Sequence, residues 1–205
     1  MGESTIPPRT EPQPERMATN MAIRSAVDGI QEIIGTHGMK MIFANIGLTH
    51  LAQSPPDYSW EPCIPTSQQA KIYAEVVRLV GLTGGIAIWR RIGYTNVRNA
   101  VEIGHVMDAF KDHPDKVKYQ RGMEILCAAS GKGKPVPRPD GLFDFDCPDC
   151  LLCEGYQTDR VMCAVYEGTT QFVADWSFGK GVYLAREITC KAKGDETCYV
   201  ALVPK

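Results

Sequence analysis

Six of the eight cysteines in this 205-residue chain fall between positions 147 and 198. Cys147, Cys150 and Cys153 stand in the run Cys-Pro-Asp-Cys-Leu-Leu-Cys, and Cys190 and Cys198 flank Lys-Ala-Lys-Gly-Asp-Glu-Thr. Thiolates separated by two residues on a tight turn can grip one metal ion, and a second pair on a distant segment can complete a tetrahedron. The turn at 147–153 is expected to supply one or two thiolates and the last hairpin Cys190 and Cys198. Glu187 can add a carboxylate only if its strand is bulged or has ended by Cys190, because positions three apart in a regular strand face opposite sides. Cys163 is expected to pack in the core, as are the isolated Cys63 and Cys127. Zinc is the expected ion. The Cys-x2-Cys-x2-Cys spacing also resembles the start of a ferredoxin run, so an iron–sulfur cluster is the alternative.

The elements that must position these groups come in two blocks. Asn20 can cap a helix to about Ile34, with Ile23, Val27, Ile30, Ile33 and Ile34 on one face and Gly35 at its end. A short helix is expected over Met39–Leu48. Four prolines make residues 53–66 a loop. Thr66 or Ser67 can start a long helix that Gly81, Gly84 and Gly85 interrupt. Further helices are expected over 86–93, over 97–110, and from Pro114 to Ala129. The pattern then changes. Ser130–Asp140 reads as a loop and Leu142–Asp146 as a half-buried strand. Thr158–Phe178 reads as a helix, and 182–188 with 197–203 as a strand pair. Helices followed by a small sheet with one helix make an α+β fold, a helical N-terminal half packed on a small antiparallel sheet with a C-terminal helix and a metal-bound hairpin. Residues 1–18, rich in proline and charge, are expected to be a loose tail, and 19–205 a single domain.

The composition is that of a globular chain, 44% hydrophobic and 22% charged, and a net charge of −2 gives no reason to expect nucleic acid as a partner. No apolar run approaches the roughly 20 residues that span a bilayer, so no membrane is expected. Met1–Arg16 has no signal-peptide core, so a cytoplasmic location, where thiols stay reduced, is the expectation.

The stretch from Cys150 to Tyr156, a helix, and then Glu-x-x-Cys-x3-Gly-Asp-x2-Cys over 187–198 resembles the 4-vinyl reductase, or hydrocarbon-binding, domain. The resemblance implies zinc ligands at Cys150, Glu187, Cys190 and Cys198, with Cys147 and Cys153 as extra thiolates nearby. It also implies a homodimer and a small hydrophobic, aromatic or tetrapyrrole ligand. The expected function is a metal-stabilised binding or sensor domain. Trp89, Tyr94, His105, Phe110, Phe172 and Trp176 are candidates to line a mostly apolar pocket, although each taken singly reads first as an ordinary structural residue. A tetrapyrrole-related enzyme or accessory reductase subunit is the alternative, but no dinucleotide fingerprint, Ser-His-Asp set or His-Glu-x-x-His motif is present.

Overall fold

The computed structural model describes residues 15–130, 133–153 and 156–205. Residues 1–14 of the expected tail lie outside the described residues. Its last part is not loose: Met17–Thr19 forms strand β1, which pairs antiparallel with β2 (Pro62–Pro65) from the proline-rich stretch. Proline is tolerated there because this two-stranded ribbon has only edges.

Thr19, not Asn20, caps α1 (Asn20–Asn45): its hydroxyl accepts from the Ala22 N–H at 3.2 Å. The two helices expected here are one, broken at Gly35, whose φ of 72° and ψ of 172° leave the helical region. Ile23, Val27 and Ile30 are buried as their spacing requires, whereas Ile33, next to the break, is exposed. After the short α2 (Thr49–Gln53) comes α3 (Thr66–Glu102), a single helix of 37 residues in place of three. Its one break is at Gly81, with nearly the same backbone angles as Gly35. Gly84 and Gly85 remain helical, because neighbours on both sides continue the hydrogen-bond ladder. The helix ends at Glu102, and Asp108–Phe110 forms only a turn of 3-10 helix.

The C-terminal half is a four-stranded antiparallel sheet in the order β3-β4-β6-β5. Its strands are β3 (Lys134–Pro137), β4 (Phe143–Cys147), β5 (Tyr183–Thr189) and β6 (Cys198–Pro204). Strand β3 lies in the segment expected to be a loop; it pairs with β4 from Lys134 opposite Asp146 to Pro137 opposite Phe143. On β6, Cys198, Val200 and Leu202 point inward and alternate with half-buried residues. The buried Asp144 of β4 is held by the Tyr199 hydroxyl at 2.8 Å and the Leu202 N–H at 2.9 Å. Helices α4 (Asp115–Ser130) and α5 (Ala164–Phe178) pack against this sheet. The α+β architecture therefore holds, with helical half and small antiparallel sheets.

The two halves meet where α3 crosses α5. Gly93 of α3 and Gly168 of α5 make the crossing intimate. A Cβ on Gly93 would collide with the Val165 carbonyl oxygen, and one on Gly168 with the Arg90 carbonyl oxygen. Backbone thus rests on backbone, and Trp89 and Ile92 fill the space alongside. By length and composition, α3 is the one helix among the described residues that could cross a membrane, with a window of mean hydropathy 1.4. It is nonetheless a packed element here, set between α1 and α5.

Candidate metal centre and the recess beside it

Three separate segments bring the thiols together. The 3-10 turn Leu151–Cys153 follows β4 and presents Cys150 and Cys153. Strand β6 begins at Cys198, directly opposite Cys147 of β4. The third segment is the start of α5. That helix does not begin near Thr158 as expected; its N-cap is Cys163, with non-helical φ −79° and ψ 45°. Two contacts hold Cys163 out of the helix. Its N–H donates to Glu187 Oε2 at 2.6 Å, and its thiol sits among other sulfurs.

Cys163 is therefore no ordinary core residue. Its Sγ lies 2.9 Å from that of Cys153, 3.2 Å from that of Cys150 and 3.5 Å from that of Cys198. Cys153 Sγ is also 3.4 Å from both Cys190 and Cys198. Two overlapping sets could hold one ion: Cys150, Cys153, Cys163 and Cys198, or Cys163, Glu187, Cys190 and Cys198, with ligand atoms all within 4.8 Å of one another in each. All of these residues are buried. Cys147 belongs to neither set; its sulfur faces the Tyr166 hydroxyl at 3.8 Å.

The register shifts between Glu187 and Thr189, where β5 ends. The bulge lets Glu187 and Cys190 face the same centre. Glu187 Oε1 is buried without a hydrogen-bond partner among the described residues. Burial, reinforced by the charge of Cys190 and Cys198, pushes its carboxyl up to about 10. The Glu187 N–H in turn donates to Glu167 at 2.9 Å, and Glu167 is held by Arg90 of α3. Among the thiols, contact with Cys150 lowers Cys153 and Cys198 to about 4, while Cys150 and Cys163 are raised. The cluster thus favours thiolate at some positions and stores protons at others, which an entering cation would displace. Asp195 fixes the final turn by accepting the Cys190 N–H at 2.8 Å, and the Lys191 N–H points at Cys198 Sγ at 3.4 Å.

The six aromatic and histidine candidates do not share one pocket. Tyr94 and Phe172 meet edge to face at 5.1 Å, and the Tyr94 hydroxyl bonds Asp175. Trp176 lies under the Lys118 ammonium. Phe110 contacts His113 at the surface. His105 has a side chain 68% exposed and pairs with Asp108 at 3.2 Å. Trp89 alone is central: fully buried, its indole N–H unpartnered among the described residues, and its ring in edge contact with Tyr73 and Tyr156. Those two tyrosines line a recess of about 200 Å³ with Ser67, Ala70, Lys71, Ala74 and Leu152. Sequence reasoning missed it. The signal was present as the i, i+3, i+4, i+7 face Ser67, Ala70, Lys71 and Ala74, but its opposite wall is Leu152 and Tyr156, remote in sequence.

No family model and no curated protein matches the chain. Solved structures do. An H-NOX protein from S. oneidensis in the Fe(II)NO ligation state is 12% identical, with 92% of this chain and 99% of that one covered at a TM-score of 0.60. An oxygen-binding H-NOX domain related to soluble guanylate cyclases is 14% identical over 92% and 95% at 0.53. A structure described as probing haem distortion in the H-NOX family is 14% identical over 92% and 95% at 0.57. At this identity the likeness shows the fold.

Two expectations are corrected by it. The resemblance to the 4-vinyl reductase domain does not stand, because the fold matched is that of H-NOX domains and no family model supports the other assignment. Zinc, and the iron–sulfur alternative, are likewise unsupported: where these neighbours are described by a prosthetic group, it is haem.

The residues present here do not fit a haem. All four histidines, His37, His50, His105 and His113, are exposed, so none reaches the interior as an axial ligand. Backbone contact at Gly93 and Gly168 leaves no slot for a planar macrocycle where α3 and α5 cross. The recess of about 200 Å³ is below even the roughly 300 Å³ at which pockets for drug-sized ligands begin.

Proposed function

We propose that this chain is a metal-stabilised binding domain for a small apolar or aromatic molecule, built on the H-NOX fold without a haem. The observation that carries the reading is the convergence of Cys150, Cys153, Cys163 and Cys198, from three segments, within 4.8 Å of one another in a buried centre. Sulfur ligands favour a soft, thiophilic ion. With all four positions supplied by protein, the ion has no open site, and its role is to hold the turn after β4, the start of α5 and the final hairpin together. Glu187 stands outside this set. It receives the Cys163 N–H and orients that ligand, as outer-shell acceptors do.

Elemental analysis and a visible spectrum of the protein as purified test the reading. The expected result is one thiophilic ion per chain, no Soret band, and no Soret shift on titration with haemin. Apo protein that takes up Co(II) should show the near-ultraviolet band of sulfur-to-cobalt charge transfer. Protein without an ion that fails to develop this band refutes the metal centre. A stoichiometric haemin complex refutes the haem-free assignment.

A further inference from the structure

We infer that Cys153 and Cys163 form a redox-active dithiol: a peroxide oxidises the pair to a disulfide, and the new bond releases the ion that the cluster holds. The oxidation rests on the sulfur geometry alone, and only the release rests on the metal-centre reading above.

Distance singles out the pair. Both residues are reduced thiols, and their sulfurs lie 2.9 Å apart. Cys163 is farther from Cys150, at 3.2 Å, and from Cys198, at 3.5 Å, while Cys153 is 3.4 Å from both Cys190 and Cys198. Thiolates bound tetrahedrally at about 2.3 Å stand about 3.8 Å apart. Cys153 and Cys163 are thus nearer to each other than two ligands of one ion, and a disulfide of about 2.05 Å needs them to approach by less than about 1 Å. Neither side chain is fixed by a regular element. Cys153 ends a 3-10 turn, and Cys163 is an N-cap outside the helical region. Its N–H stays on Glu187 Oε2, so the thiol can turn without displacing α5.

Access divides the roles. Cys163 is 0% exposed and Cys153 6%. Leu152, the chain neighbour of Cys153, lines the recess whose other wall carries the exposed Ser67, Ala70, Lys71 and Ala74. The recess is an open approach for a molecule as small as hydrogen peroxide, so Cys153 meets the oxidant and Cys163 resolves the product. The Cys153 thiolate attacks one peroxide oxygen, the O–O bond breaks, and a sulfenic acid forms as hydroxide leaves. The Cys163 thiolate then attacks the Cys153 sulfur and expels a second hydroxide. The two sulfurs give up two electrons, their two protons join the hydroxides, and the peroxide leaves as two waters. Of the four sulfur ligands Cys150 and Cys198 remain, too few to hold the ion. A dithiol reductant restores the pair by exchange.

Hydrogen peroxide is the probe, used on the full-length protein with its ion bound and, in parallel, after chelation. Peptide mass spectrometry after alkylation should find Cys153 joined to Cys163, two hydrogens lighter, with the ion released in step with the link. Dithiothreitol should restore both thiols and ion uptake. Cys147→Ser, at a sulfur outside both ligand sets, should behave as wild type. In chelated protein, Cys163→Ser should slow disulfide formation at Cys153 at least about tenfold, because the positioned resolving thiol is gone, and leave a sulfenic acid that dimedone labels. Peroxide-treated protein in which both thiols still alkylate, or in which they join other cysteines, overturns the dithiol and leaves the metal centre standing. Linked protein that keeps its ion overturns the release. The same link in protein that carries no ion as purified supports the dithiol and sinks the metal centre instead.

Discussion

Cys163 gives the sharpest test of the site, because its spacing suggested packing and its geometry suggests ligation. If it only packs, Cys163→Ala removes one buried sulfur and leaves a small cavity, a loss of about 1–2 kcal/mol. For a chain of this length that lowers Tm by about 2–8 °C. If it ligates, the variant removes the sulfur that lies 2.9, 3.2 and 3.5 Å from three other thiols of the set. Losing an outer-shell partner alone costs about 10–100-fold in metal affinity. A missing ligand should therefore exceed about 100-fold, or about 2.7 kcal/mol at 1.36 kcal/mol per decade. The assay is a pair of measurements. Co(II) titration of apo protein, read from the charge-transfer band, gives the affinity. Thermal melts with metal and with chelator separate the packing cost, common to both, from the metal-linked cost, present only in the first. A variant that binds Co(II) within about threefold of wild type, and loses the same 1–2 kcal/mol with and without chelator, refutes ligation by Cys163.

Glu187→Gln should keep the ion, since the amide oxygen still accepts the Cys163 N–H; loss of the ion on elemental analysis would return the carboxylate to the ligand set. Glu187→Leu should cost about 1–3 kcal/mol in chemical denaturation, the cost of a buried N–H without an acceptor. Gly93→Ala should cost about 3 kcal/mol and lower Tm by about 6–12 °C, because the new methyl meets the Val165 carbonyl and the backbone of α5 must move; an unchanged melt would contradict the close crossing. Burial and the neighbouring Asp144 push the Tyr199 hydroxyl up to about 12, above the ordinary phenol value of about 10. The folded state then holds this proton more tightly than the unfolded chain, so the stability it contributes is present below about pH 10 and is lost as pH rises toward 12. Tyr199→Phe should flatten the decline in that window, and denaturation at pH 9, 10 and 11 reads it; an identical decline in the variant rejects the assignment.

Much of the site was legible in the chain. Periodicity placed Ile23, Val27 and Ile30 of α1 inside, and alternation placed β4, β5 and β6. Cys150 and Cys198 come from the two segments that the spacing singled out, and their sulfurs lie within 4.8 Å of one another. The condition set for Glu187, a bulge or strand end before Cys190, is met by the register shift after Glu187. The helix breaks were less legible. Gly81, Gly84 and Gly85 look alike in sequence, yet only Gly81 leaves the helix. The strand β3 carries two prolines and joins the sheet only because β4 offers it an edge.

Residue type and spacing alone settled that the thiols of the C-terminal half fall mainly in two clusters, and that helices precede a small sheet. These are local properties, written in composition and period. Tertiary structure alone decided which sulfurs meet, because Cys163 joins them only where the start of α5 is bent toward Glu187. It also decided where a ligand could sit. A recess is the gap between surfaces that fold together from distant positions, and no window of sequence contains both the α3 face at Ser67–Ala74 and the wall formed by Leu152 and Tyr156.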